Sequence, residues 1–463
     1  MSANPAEVPV AVPHVVKGEL VSGTVNLFGP EGRRFATPKL ELNSLIWRRT
    51  QPGPAFEVPS REIIDLLVAT GQRMMRDPDG ILADACEQMK RSSPLDGGIL
   101  ERDYAGLGRL FDRGGMEAQI RNELGGPEIL DGWKEVVTGT GQTARVRAFP
   151  PRLVHILAGN APGVAAVSII RGALTKGVNL LKLPSNDLFT ATAILRTMAK
   201  VAPNHPTVRS FCAVYWRGGD QSVESHLLRP QFFDKLVAWG GESALRSAKN
   251  YIGPGFELVA FDPKTSISFI GREAFASPET LAEVARLAGD DSTPYNQEAC
   301  VSSRFQFVEG STEQIDRYCT LLQQELGVQR ASCSIVGQPV TGELREQIEV
   351  LTGLEPDYRV WGNFDGRGIV IRSEDPVEFY PDRKVVNVVP VKSLSEAVKF
   401  ANVATQTVGV YPANRKQEVR DALASVGVQR VVTLGKALGP GPGLAHDGFY
   451  PLHRFVRWVN DED

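Results

Sequence analysis

Four short runs in this 463-residue sequence carry residue types that can do chemistry. Leu157-Ala-Gly-Asn160-Ala-Pro-Gly163 joins a strand pattern to a helix pattern and sets small residues and a side-chain amide at a helix N-terminus. The backbone N–H groups and positive dipole end there suit a phosphate. Leu181-Lys182-Leu183-Pro184-Ser185 ends the next strand pattern. A lysine at a strand's carboxyl end sits where open α/β sheets bind ligands. Val237-Ala-Trp239-Gly240-Gly241 is a third strand pattern running into a glycine turn. Each alone also reads as an ordinary tight βα turn; the three together point to a ligand-binding edge of one sheet. In the fourth run, Tyr295-Asn-Gln297-Glu-Ala-Cys300-Val-Ser-Ser303, a polar loop becomes an apolar strand at Cys300. A thiol there is firmly held and partly exposed. Cys86, Cys212, Cys319 and Cys333 read instead as small buried hydrophobes.

The elements that must position these residues follow from periodicity. Residues 1–60 are proline-rich and weakly periodic, and are expected to form an arm or irregular cover. Helical spacing over 61–75 and about 79–91 leads into a mixed helical region to residue 135. Strand patterns at 144–148, 153–158, 178–183, 211–216, 235–239 and 257–261 then alternate with helices at 163–176, about 188–201 and 243–250. Gly177 is expected to take the left-handed position after the first of these helices. A further strand pattern stands at 267–270, and beyond Cys300 the alternation resumes with strands at 301–308, 368–372, 385–391, 407–411 and 428–434, and helices near 312–326, 394–402 and 415–426. The pattern predicts an α/β fold with largely parallel sheets, in two blocks split near 265–270.

Composition excludes several classes. Lys plus Arg number 51 against 54 Asp plus Glu, a net charge of −3, which argues against a nucleic-acid binder. Five cysteines, none in Cys-x-x-Cys spacing, argue against a disulfide framework or zinc site, and the histidines have no metal-ligand spacing, so no metal is expected. The N-terminal residues lack the basic and apolar regions of a secretion signal, and the most apolar stretch, 161–170, is too short to span a membrane. A cytoplasmic protein is the expectation. Two further motifs are weak. Gly139-Thr-Gly141-Gln-Thr-Ala144 matches a dinucleotide pattern but precedes a strand, and reads as a hairpin loop. Gly439-Pro-Gly441-Pro-Gly443 lacks the N–H donors of a phosphate loop and reads as a stiff connector.

The run Gly159–Ser185, the Trp239-Gly-Gly turn and the Gln-Glu-Ala-Cys loop together resemble the aldehyde dehydrogenase superfamily. Within it the chain most resembles the LuxC-type acyl-CoA reductases, which supply long-chain aldehyde for bioluminescence. The resemblance covers nearly the whole chain, including the C-terminal His446–Trp458. It implies two Rossmann-like α/β domains with a small oligomerisation element. A nicotinamide-binding domain is expected at 61–266, with 140–150 as the oligomerisation hairpin. A catalytic domain is expected at 267–435, and a segment at 436–463 returning to the first. Ala144–Phe149 and Phe455–Val459 are expected to pair between subunits of a homodimer or homotetramer.

By the same resemblance Cys300 attacks a thioester carbonyl, expels coenzyme A and carries the acyl group. Asn160 and the Cys300 N–H steady the oxyanion, Lys182 binds the adenosine ribose, and Gly240 and Gly241 lie beside the pyrophosphate. Two departures matter. Aldehyde-oxidising members carry a water-activating glutamate four residues before the lysine matching Lys264; Ala260 stands there, with Glu257 and Asp262 off register. NAD-preferring members place a glutamate three residues after the ribose lysine; Ser185 stands there and leaves room for a 2′-phosphate, favouring NADPH while NADH stays open. The glutamate of the nicotinamide ribose has no clear match, Glu378 being near but unaligned. The implied reaction is reduction of a fatty acyl-CoA, or of an acyl group from a partner acyl-transferring protein, to the free aldehyde. Oxidation of an aldehyde with Glu257 as base, and a non-catalytic acyl-carrying subunit, are the alternatives.

Overall fold

A computed structural model describes residues 9–439 and 441–462. The chain divides into two compact units, residues 1–262 with 441–463, and residues 263–440. Strands of the two large sheets are numbered here in chain order. In the first unit they are β1 (His14–Val16), β2 (Glu19–Val21), β3 (Arg152–Ile156), β4 (Val178–Lys182), β5 (Phe211–Val214), β6 (Lys235–Trp239) and β7 (Glu257–Phe261). They lie in the order β7-β6-β3-β4-β5-β1-β2. The strands from β7 to β5 are parallel, and β1 and β2 add an antiparallel edge.

The parallel strands form because their side chains are apolar on both faces, as burial between two helix layers requires. Val154, Leu180, Val214 and Leu236 pack on one side with residues of the helices Gln221–Leu227 and Glu242–Lys249. Leu153, Val237, Val259 and Phe261 pack on the other with Phe455 of the C-terminal helix Pro451–Phe455. The helix Gly163–Leu174, which follows β3, contacts that C-terminal helix. The connection after β3 therefore leaves on one face and the connection after β6 on the other. Between these adjacent strands the topology switches, and at their carboxyl ends a crevice must open.

Residues 9–60, expected as an irregular arm, are stitched into this unit. Besides β1 and β2, they supply carbonyls at Trp47, Arg48 and Gln51 that accept from the Arg152 guanidinium at 2.7, 2.9 and 2.8 Å. A third sheet joins Lys134–Val137, Thr143–Phe149 and Arg457–Glu462, all antiparallel. Thr143–Phe149 takes its partner Arg457–Glu462 from its own chain, where pairing between subunits was expected. The Gly139–Gly141 motif forms the turn of the hairpin in this sheet.

The second unit is built from β8 (Thr265–Ile270), β9 (Ser303–Val308), β10 (Tyr358–Trp361), β11 (Ile369–Ser373), β12 (Val385–Pro390), β13 (Thr405–Tyr411) and β14 (Arg430–Thr433). Their order is β10-β11-β12-β9-β8-β13-β14, parallel except for β10 at the edge. The helices Pro278–Ser292 and Thr312–Leu326 cover one face; Leu394–Ala397 and Lys416–Ser425 cover the other. Among the described residues no helix is long and apolar enough to cross a membrane. Of the glycine-proline connector, Pro440 lies outside the described residues, while Gly439 and Gly443 have φ of 82° and 77°.

One local expectation is corrected. The left-handed residue after the helix Gly163–Leu174 is Lys176, with φ 55°, and not Gly177. Lys176 is fully buried and is held there by Asp131 at 2.6 Å. Gly177 is needed for a different reason: a Cβ on it would stand 2.9 Å from the Pro151 carbonyl oxygen. Gly177→Ala is expected to overpack this turn and destabilise the protein by about 1–3 kcal/mol. A fall in the denaturant midpoint at unchanged slope would show it.

Candidate active site

The first unit brings five of the six expected site residues to one edge of its sheet. Asn160 lies on the loop leaving β3, and Lys182 is the last residue of β4. Ser185 follows on the next loop, and Gly240 and Gly241 follow directly on β6. The two loops beside β3 and β4 are closely packed, since a Cβ on Gly159 would fall 2.1 Å from the Asn186 Oδ1 and 2.9 Å from the Asp187 backbone nitrogen. Asn160 is half-buried and Ser185 exposed. No side chain caps the helix Gly163–Leu174, whose N-cap residue is Pro162. Gly241 caps the helix Glu242–Lys249, and a Cβ there would meet nothing within 4 Å.

Lys182 stands on an aromatic floor. Its ammonium is 6.0 Å from the Tyr215 ring and 5.6 Å from the Trp216 ring, and burial lowers its pKa. Tyr215 meets the stacked pair Phe28 and Phe35 edge-on at 4.9 and 4.8 Å, and its backbone N–H donates to His14 Nε2 at 3.1 Å. The N-terminal segment thus supports the lysine, a role that no periodic signal in the sequence announces.

Glu257 does not reach this edge. It is the first residue of β7, paired with Lys235 at 3.3 Å, and four residues of strand place it about 13 Å from the carboxyl end. Ala260, nearer that end, sits opposite Ala238 with no ionisable group of its own.

Cys300 belongs to the second unit, on the loop between the helix Pro278–Ser292 and β9. It is the exposed cysteine; the other four are buried, and burial pushes the Cys212 thiol up to about 12. Its neighbours Ala299 and Val301 are buried against Ala437, and its carbonyl accepts from Ser266 Oγ at 2.8 Å. The segment is anchored on both sides of the sulfur while the thiol faces outward.

Just before it the backbone is strained. Tyr295, Asn296 and Gln297 have φ of 55°, 54° and 76°, three successive non-glycine residues in the left-handed region. Each costs about 1–2 kcal/mol, and such strain collects at functional sites where surroundings over-determine it. The surroundings here are explicit. The Tyr295 N–H donates to Ser332 O at 2.6 Å, and the Asn296 amide exchanges two hydrogen bonds with Ser334 at 2.8 and 3.0 Å. Gln297 Nε2 donates to Val385 O at 2.9 Å. Arg304 donates to the Gln297 carbonyl and, at 2.6 Å, to the Pro381 carbonyl, with the Tyr380 ring 4.4 Å away. Lys384, fully buried, donates to the carbonyls of Leu326, Ser334 and Ile335. Glu298, two residues before the thiol, has its pKa raised by burial and by Asp382, against the pull of Arg383 and Arg304. Glu378 is exposed on the loop from β11 to β12. Sequence reasoning missed Arg304 and Lys384, whose partners lie far along the chain.

The contrast in exposure has a direct readout. Iodoacetamide on the folded protein is expected to modify one thiol, Cys300, and on the unfolded chain all five. Arg304→Lys, which loses one of the two carbonyl braces, is expected to change the Cys300 labelling rate several-fold and leave the other four thiols protected. Peptide mass mapping distinguishes the sites.

Residues 56–458 match the family model of the acyl-CoA reductases called LuxC. A long-chain acyl-protein thioester reductase of Vibrio harveyi is 31% identical over 473 residues, covering 97% of this chain and 93% of that one. Another, from Photorhabdus luminescens, is 29% identical over 424 residues, covering 88% and 83%. Among solved structures, an NAD-dependent benzaldehyde dehydrogenase from Corynebacterium glutamicum superposes with a TM-score of 0.71 over the whole of both chains at 11% identity. An NADP-dependent glyceraldehyde-3-phosphate dehydrogenase from Bacillus halodurans gives 0.67 at 13% identity over 98% of this chain and 99% of that one. The fold is that of the aldehyde dehydrogenases, and the chain belongs to the LuxC family of acyl-CoA reductases.

Proposed function

We propose that this protein reduces a long-chain acyl thioester to the free aldehyde through an acyl-Cys300 intermediate, with NADPH as reductant. The observation that carries the reading is the exposed thiol of Cys300, held by buried neighbours behind a strained loop, in a chain of this family. The residues at the β3/β6 crevice fit a dinucleotide. Gly241 leaves open space beside the turn, Lys182 presents a cation for the adenosine ribose, and the short Ser185 leaves room for a 2′-phosphate.

Cys300 attacks the thioester carbonyl, and the carbonyl oxygen takes up negative charge until the donor thiolate leaves. In the mechanism that the family resemblance implies, a side-chain amide matched by Asn160 would join the Cys300 N–H in serving this oxyanion, a donor of this kind lowering the barrier by about 3 kcal/mol. When bound, the nicotinamide supplies a hydride for the acyl carbon. The Cys300 sulfur then departs as thiolate when the carbonyl of the aldehyde re-forms, which regenerates the nucleophile. Ala260 gives water no base at the position where aldehyde oxidation needs one, and Glu257 sits at the far end of β7. An acyl-enzyme waiting for hydride is thereby spared hydrolysis.

Two donors are consistent with the relatives: an acyl-CoA, as the family description has it, and an acyl group on a partner protein, as the relatives' names have it. A homodimer or homotetramer would be built on the small antiparallel sheet, and a cytoplasmic location fits both donors.

The assay is a panel of acyl-CoAs and acylated carrier protein with NADPH or NADH, read by loss of nicotinamide absorbance and mass spectrometry of the aldehyde. Wild-type protein is expected to form long-chain aldehyde with NADPH, and Cys300→Ala to form none. Full activity in Cys300→Ala would defeat the mechanism. Asn160→Ala is expected to lower kcat by about 100-fold. Ser185→Glu is expected to reverse the cofactor preference toward NADH; an unchanged NADPH-to-NADH ratio in that variant would remove Ser185 from cofactor selection.

A further inference from the structure

Arg171 stands in the helix Gly163–Leu174 among buried residues, with a relative exposure of 8%. Burial lowers its pKa to about 10, so it remains a cation at neutral pH. A buried guanidinium is costly unless it is paired. The carboxylates of Glu123 and Asp447 are near enough to stabilise its charge, but its Nε and Nη1 meet no hydrogen-bond partner among the described residues, and neither does the buried Glu123 Oε1. What Arg171 does touch is specific. Its guanidinium lies 5.9 Å from the Trp239 ring and 5.8 Å from the Phe261 ring, and its Nη2 is 3.3 Å from His446 Nδ1. Trp239 and Phe261 are stacked at 3.6 Å with planes 5° apart. His446 stands edge-on to both, at 5.3 and 5.0 Å.

This cluster grips one ring, and that ring ends β6. The next two residues, Gly240 and Gly241, have no side chains with which to fix their own turn. The place where the turn begins is therefore set by Trp239. We propose that Arg171 and His446 are positioning residues for the cofactor turn, acting on Gly240 and Gly241 through the Trp239 ring. The inference rests on the reading of that turn as the nicotinamide dinucleotide site. It also gives a role to the C-terminal return of the chain, whose Leu452 N–H is held by Glu123 at 2.6 Å.

Three readouts on the full-length protein test it: the rate of Cys300 acylation by a long-chain acyl-CoA without nicotinamide, the KM for NADPH with kcat, and the thermal midpoint. Arg171→Met is expected to raise the KM for NADPH about tenfold while acylation stays within about twofold of wild type. Arg171→Lys, which keeps the charge, is expected to fall between them. An unchanged KM for NADPH overturns the proposal, as does an equal loss in acylation and NADPH use. If Arg171→Met does not fold, His446→Leu, at a more exposed position, decides by the same criteria. Wild-type protein that is not acylated and does not oxidise NADPH overturns the proposed reaction. Wild-type protein competent in both, with variants that match it, overturns the positioning role alone.

Discussion

Three consecutive left-handed residues, Tyr295 to Gln297, are the constraint on which the second unit's chemistry depends. Left to itself, the backbone would relax this turn and release several kilocalories per mole. It stays because hydrogen bonds from several sides hold it. Asn296 and Ser334 bond each other twice, Gln297 reaches the start of β12, and Arg304 bridges the turn to Pro381. Lys384 then fixes the Ser334 carbonyl from below. The result is a short rigid segment that delivers one sulfur to the surface while Ala299 and Val301 on either side stay buried. A thiol on a relaxed loop would sample many orientations and lose the advantage of a fixed attack geometry.

The first unit solves a different problem by topology. In its parallel sheet, the connections after β3 and β6 leave on opposite faces, so a gap opens between their carboxyl ends. Small residues and a lysine gather there because larger side chains would fill the gap. The aromatic floor under Lys182 is assembled from residues almost 190 positions apart, Phe28 and Phe35 against Tyr215. The lysine's place is thus set by the N-terminal segment as much as by β4.

Much of this was legible in the sequence, for identifiable reasons. Parallel strands buried on both faces read as continuous apolar runs, so β4, β6, β12 and β13 stand out, and the helix 312–326 declares itself by its period and its Ser311 cap. The aldehyde-dehydrogenase-like fold and the family followed from ordered short motifs. The antiparallel strands at the sheet edges were opaque: β2 and β10 are short and only partly buried, and β1, although buried, has three residues. So were residues whose meaning lies in a distant partner. Lys176 was hidden behind Gly177, because a lysine takes a left-handed conformation only when something such as Asp131 holds it. Arg171 had a signal, a lone cation inside an otherwise apolar helix, but read from sequence alone it marks only where an apolar run stops. Arg304 and Lys384 gave none, since their acceptors are backbone carbonyls and, for Arg304, also Asp382, 78 residues on.

The strand Arg457–Glu462 is among the last residues of the chain, yet it completes a sheet begun at Lys134, and Leu452 satisfies a carboxylate on Glu123. The second unit, by contrast, is one uninterrupted stretch of 263–440. On the ribosome the second unit can therefore finish first, while the first, although begun earlier, waits with an open sheet edge and an unanswered buried acid until residues 452–462 have been made. The first unit is thus completed only by residues that follow the second in the chain, and a truncation before Arg457 would leave one edge of Thr143–Phe149 unpaired.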